Sequence, residues 1–128
     1  MELVYIVVLL VLIEYMVFSM LVGRARGKYG VSAPAITGDP IFERYYRVQQ
    51  NTLEQLAVFL PAILVYGYYG NPMYAAIAGV FFLVGRAVYL HSYVADPGKR
   101  AIGFLLGFAA NVFLVVGGLI VLIRSLMT

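Results

Sequence analysis

Residues 42–69 read FERYYRVQQNTLEQLAVFLPAILVYGYY, and the fold turns on how this stretch is placed. From Leu56 to Tyr69 it holds no charged residue, yet those 14 residues make only about 21 Å of helix. A bilayer core of roughly 30 Å needs about 20 helical residues. The segment can span only by drawing in the residues before Leu56, which puts Asn51 to Gln55 at membrane depth. A charge at that depth costs about 2.5–3.5 kcal/mol on insertion scales, so these polar groups must face protein or a wet cavity.

The remainder of the chain makes a bilayer the expected solvent. Of 128 residues, 63% are hydrophobic and only 12% are charged, a composition outside that of soluble domains. Further apolar segments fall at about 3–22, 73–95 and 101–123, separated by GRARGKYGVSAPAITGDP, GNP and ADPGKR, which are rich in turn residues or charge. The pattern predicts an all-α integral membrane protein: one domain over 1–128, with four spanning helices at about 3–25, 42–69, 73–95 and 99–125. The first apolar run lacks a basic leader and a small-residue cleavage site, so it reads as a retained helix. Arg24, Arg26, Lys28, Arg44, Arg47, Lys99 and Arg100 flank the first and third connections. The positive-inside rule then places those connections in the cytoplasm and both termini outside it.

Several chemistries are excluded by what is absent. With no cysteine there is no disulfide, thiolate metal site or cysteine nucleophile, and His91 alone cannot build a metal centre. No block of Lys and Arg interleaved with aromatics suggests a nucleic-acid surface.

What remains is a polar constellation. Arg47, Asn51 and Glu54 share one face of the second helix at i, i+4 and i+7, and Arg86, Tyr89 and Tyr93 share one face of the third at i, i+3 and i+7. Antiparallel neighbours can bring Glu54 and Arg86 to similar depth. Two readings follow: a structural ion pair between them, or a cavity in which Arg47, Gln49, Asn51, Glu54, Tyr89, Tyr93 and Arg100 converge on a polar anionic ligand that also presents an ammonium group. Glu43, Arg44 and Gln50 are expected only to support the start of the helix. Glu14, midway along the first helix, is expected to pair with Arg86 or Asn111. Gly103, Gly107 and Ala110 form a small-residue face suited to close helix packing, within or between subunits.

The stretch FERYYRVQQNTLEQ, followed at a distance by Gly85 and then RAVYLHSYVADPGKR over 86–100, resembles the MAPEG family, membrane proteins of eicosanoid and glutathione metabolism. The nearest likeness is to its microsomal glutathione transferase 3 branch. The resemblance implies a homotrimer whose sites lie between subunits, with glutathione as co-substrate and no metal. It implies that Arg47, Asn51, Glu54, Tyr89 and Tyr93 of one chain, with Arg26 and Gln49 of its neighbour, hold the tripeptide, and that Arg86 and Gln55 support them. Arginine guanidinium groups fork to carboxylates, and a glutamate accepts from the γ-glutamyl ammonium. The resemblance makes Arg100 the catalytic residue, stabilising the glutathione thiolate. A free thiol titrates near about 8.5, and a guanidinium that lowers this by about 2 contributes about 2.7 kcal/mol. The implied activity is glutathione S-transferase, with peroxidase activity as a companion, on a lipophilic electrophile or lipid hydroperoxide taken from the membrane. Gln55 stands where the eicosanoid-forming branch carries Tyr, and Gly27 stands where leukotriene C4 synthase carries a second consecutive Arg. Two other readings stay open. The family also contains a non-catalytic lipid binder, the 5-lipoxygenase-activating protein, and small proton-coupled multidrug exporters share the four-helix length with a glutamate like Glu14 in the first helix.

Overall fold

A computed structural model describes residues 1–128 as four long helices running up and down: α1 Glu2–Tyr29, α2 Pro40–Tyr69, α3 Pro72–Ala95 and α4 Ala101–Met127. Their boundaries follow from local chemistry. Gly30 takes the left-handed conformation, φ 71°, that closes α1. Asp39 caps α2 by accepting from the Ile41 and Phe42 amides, each at 2.9 Å, with Pro40 in the first helical position. Asn71 and Pro72 repeat the device for α3, with the Asn71 side chain accepting from Met73 N at 2.9 Å. After α3, Asp96 accepts from Gly98 N at 3.0 Å and Pro97 opens a 3-10 turn that delivers the chain to α4.

α1, α3 and α4 are long and apolar enough to cross a membrane. α2 differs: its 30 residues reach about 45 Å, but its first half is the polar stretch. It sits among the other three helices, packing against each. Thr52 is buried there with its hydroxyl donating to Val48 O at 2.7 Å, which is how a polar residue at this depth is satisfied.

The core runs along the bundle axis from Val4, Val7 and Val11 to Phe59, Phe82 and Leu114. The Phe59 and Phe82 rings stack at 4.2 Å and lock α2 to α3. Outward, Leu9, Ile13, Met20, Phe81, Leu105 and Leu119 are exposed, as side chains facing hydrocarbon would be.

α3 and α4 meet backbone to backbone. A Cβ added to Gly103 would lie 2.6 Å from Tyr89 Cα, and one added to Gly85 would lie 2.8 Å from Gly107 N. The small-residue face of α4 is therefore turned on α3 of the same chain. This seam joins the helix that bears Tyr89 to the helix that begins beside Arg100.

Candidate functional site

The end of the bundle that holds the α1–α2 and α3–α4 connections has two adjoining clefts. One, of about 450 Å³, is lined by Asn51, Tyr89, Gly98, Arg100, Ala101 and Phe104. The other, of about 420 Å³, lies between the first turns of α2 and the end of α3, where Arg44, Arg47, Glu43 and Tyr93 face one another. The Tyr89 and Tyr93 rings, one on each cleft, are 5.5 Å apart. Helical spacing accounts for the arrangement: Arg47 and Asn51 are one turn apart on α2, and Tyr89 and Tyr93 one turn apart on α3. Arg100 reaches the rim because the Asp96–Pro97 turn ends α3 there, and its Nη1 donates to Pro97 O at 2.8 Å.

Beneath the rim lies Arg86, with no exposed surface and the largest of the fully buried side chains. Its Nη2 donates to Asn51 Oδ1 at 2.8 Å, and its guanidinium carbon stands 4.2 Å over the Tyr89 ring. Its Nε and Nη1 have no hydrogen-bond partner. This corrects two expectations. Arg86 is not ion-paired with Glu54, which is exposed on α2, and it is not bonded to Glu14. Glu14 Oε1 is buried on α1 without a partner. Asn111 is also engaged elsewhere: its Nδ2 donates to Gln55, at 3.3 Å to the backbone oxygen and 3.2 Å to Oε1. α2 has taken both groups that Glu14 was expected to find, because its polar face turns inward toward α3 and α4.

Not every candidate reaches the clefts. Arg26 Nη1 donates to Ala35 O at 2.6 Å, with the guanidinium 4.8 Å over Phe42. Gln49 Nε2 donates to Ser19 Oγ at 2.9 Å, against α1. Both lie on the α1 side of α2. Glu43 accepts from Gly38 N at 3.3 Å, and Arg44 Nη1 donates to Val94 O at 2.9 Å, tying α2 to the end of α3, so the two reinforce the helix start.

Gly98, Ala101 and Phe104 belong to the first cleft and Ser19 orients Gln49, although spacing did not point to them. For Ser19 a signal existed, since a hydroxyl in an apolar helix needs a partner. It donates to Tyr15 O at 3.2 Å while accepting from Gln49. For the other three the position depends on a loop geometry that sequence does not give.

Three guanidinium groups, those of Arg44, Arg47 and Arg100, thus surround one end of a membrane-type bundle with the Glu43 carboxylate, the Asn51 amide, the Tyr89 and Tyr93 phenols and the first turn of α4. Helix N-termini favour anions, as do the arginines, so the class of protein is a helical membrane protein with an anion-receptive cleft at one end. The chain belongs to the MAPEG family, which it matches over residues 3–120. An uncharacterized protein of Synechocystis is 48% identical over 112 residues, 88% of this chain and 82% of that one. Microsomal glutathione S-transferase 2 of Bos taurus is 35% identical over 108 residues, 84% of this chain and 74% of that one. Leukotriene C4 synthase of Cavia porcellus is 40% identical over 83 residues, 65% of this chain and 55% of that one.

Proposed function

We propose that the chain is a membrane-bound glutathione transferase, with peroxidase activity as a companion. The observation that supports this best is the single cleft shared by Asn51, Tyr89 and Arg100 in a chain related to glutathione transferases. In this reading the Arg47 guanidinium forks to a glutathione carboxylate and Asn51 supplies a hydrogen bond from its neutral amide, while Glu54 receives the ammonium. Arg26, on α1 and bonded to Ala35 O, and Gln49, bonded to Ser19 of α1, line neither cleft of their own chain, which suits residues offered to a neighbour's site in a homotrimer.

Arg100, at the start of α4, stabilises the thiolate, and the thiol proton leaves to water through the exposed rim. With an electrophile, the sulfur pair forms the new C–S bond and the electrons of the broken bond leave with the departing group or stay on a ring-opened oxygen. With a hydroperoxide, sulfur attacks the terminal oxygen to form the sulfenic acid, the O–O bond breaks, and the departing alkoxide takes a proton from water to leave as the alcohol. A second glutathione then condenses with the sulfenic acid to give the disulfide and water. The lipophilic partner enters from the bilayer along a groove between subunits beside α1 and α4. Glutathione comes from the cytoplasm, with both termini on the other side, the topology that the basic connections favour.

The test is stopped-flow mixing of the detergent-purified protein with glutathione, following the ultraviolet band of the thiolate, beside Arg100→Ala. The band should form with the native protein and fall at least about ten-fold in the variant, the size expected for losing one charge-assisted contact. No band in the native protein, or an equal band in Arg100→Ala, overturns the mechanism. The non-catalytic lipid-binder reading predicts no band at all, and nothing in it calls for Arg47 and Arg100 flanking the same pair of tyrosines.

A further inference from the structure

Arg86 is committed in a way that burial alone does not account for. A guanidinium taken out of water is costly and is normally met by a carboxylate or by several acceptors. Here Nε and Nη1 have no partner, the one directed bond goes to Asn51 Oδ1 at 2.8 Å, and the charged face lies 4.2 Å from the Tyr89 ring. Both contacts are with residues that line the cleft shared with Arg100, whereas Arg86 itself has no exposed surface and lies outside that lining. Glu14, on α1, makes no bond to it and acts only as a charge at a distance.

The chemistry of this pairing fixes the orientation of an amide. A guanidinium carries donors only, so the group of Asn51 turned toward it must be the carbonyl oxygen. The Asn51 Nδ2 hydrogens are then the part of the side chain left for the cleft. A free amide can rotate and present either an acceptor or a donor; this one is held as a donor. Likewise, the guanidinium 4.2 Å from the Tyr89 centroid helps hold that ring in place, together with the rings of Tyr93 and Phe104.

We propose that Arg86 is a positioning residue which, acting through Asn51 and Tyr89, makes the cleft selective for a ligand presenting a hydrogen-bond acceptor, a peptide carbonyl or carboxylate oxygen, at the Asn51 position. This rests on the glutathione reading of the cleft and adds to it the residue that sets its polarity. Arg86 does not touch the ligand, so its removal acts on binding of the tripeptide before it acts on thiolate formation.

The test is a double-mutant cycle on glutathione affinity, measured by equilibrium binding to the full-length chain in detergent, with Arg86→Met, Asn51→Ala and the double variant. Met keeps most of the stem's apolar volume and removes every donor. Each single change should weaken glutathione about ten-fold, and the double variant should be little worse than the weaker single, because the two side chains act as one unit. Arg86→Lys, which restores one donor but not the planar face, should recover part of the affinity, and it serves as the cycle partner should Arg86→Met fail to fold. Asn51→Asp supplies a second readout: its carboxylate pairs with Arg86 and presents no donor, so the fold should survive while glutathione binding is lost. Multiplicative losses in the cycle, or an Arg86 variant that binds glutathione like the native chain, overturn this inference and leave the proposed function standing. Absence of glutathione binding by the native chain overturns both.

Discussion

At the scale of the residue, charge suggested partners that geometry did not deliver. Arg86 in an apolar helix asks for a carboxylate, and Glu14 and Glu54 were the carboxylates in reach. Instead it bonds an amide, and Glu14 Oε1 is left buried and unbonded. Spacing along a helix shows which residues share a face, but the rotation of that face relative to its neighbours is set by packing, and no single sequence prints it. What spacing did show was that Asn51 and Tyr89 lie on faces that meet. Glu14 also yields a prediction. Glutamine has nearly the same volume and keeps a carbonyl, but it needs no counter-charge, so Glu14→Gln removes a carboxylate that makes no bond and feels Arg86 only at a distance. The melting temperature in detergent should be unchanged or higher, and glutathione turnover should stay within about two-fold of native, because no cleft residue depends on Glu14 for a hydrogen bond. Under the exporter reading the same change would abolish proton-coupled drug flux. A large fall in glutathione turnover would instead mean that the distant charge of Glu14 is needed to hold Arg86 in place.

At the scale of the element, the four helices were legible because their punctuation is local: apolar runs separated by Asp39–Pro40, Asn71–Pro72 and Asp96–Pro97. The end of α1 was not. GRARGKY reads as a loop by its charge and its two glycines, yet the helix continues through it to Tyr29 and stops only at Gly30. Glycine inside a helix costs about 0.5–1 kcal/mol and ends nothing unless the backbone turns left-handed. Position decides what a glycine is for, and two substitutions separate the cases. A methyl at Gly23 meets nothing within 4 Å, so Gly23→Ala should raise stability by about 0.5–1 kcal/mol. A methyl at Gly103 meets the Tyr89 backbone, which cannot rotate away as a side chain would. Gly103→Ala should cost about 1–3 kcal/mol by forcing α3 from α4. It should also raise KM for glutathione, because Tyr89 and the start of α4 both move. Thermal unfolding in detergent and steady-state kinetics on the two variants check the pair, and equal effects at the two glycines would contradict the close packing of the α3–α4 seam.

At the scale of the whole molecule, the site proposed from the sequence is divided by the fold. Asn51, Tyr89 and Arg100 share one cleft and Arg47 and Tyr93 the next, while Arg26 and Gln49 are bonded on the α1 side of α2. A single chain therefore does not gather the whole set, and a symmetric assembly can, if the α1 side of one copy faces the clefts of another. The expectation can be tested without determining the number of copies. Arg26→Ala should damage the face that a chain lends to its neighbour, and Asn51→Ala the cleft that it keeps. When the two variants are co-expressed at equal levels and mix at random, a site is intact only where an Asn51→Ala chain lends its face to the cleft of an Arg26→Ala chain, which happens at about a quarter of the interfaces in any closed ring. Glutathione transferase activity should thus return to about a quarter of native, although each variant alone is nearly inactive. A site complete within one chain gives no such recovery: the mixture would show only the average of the two variants measured separately. Mixing the purified variants after assembly provides the control, since subunits that no longer exchange cannot build the hybrid interface.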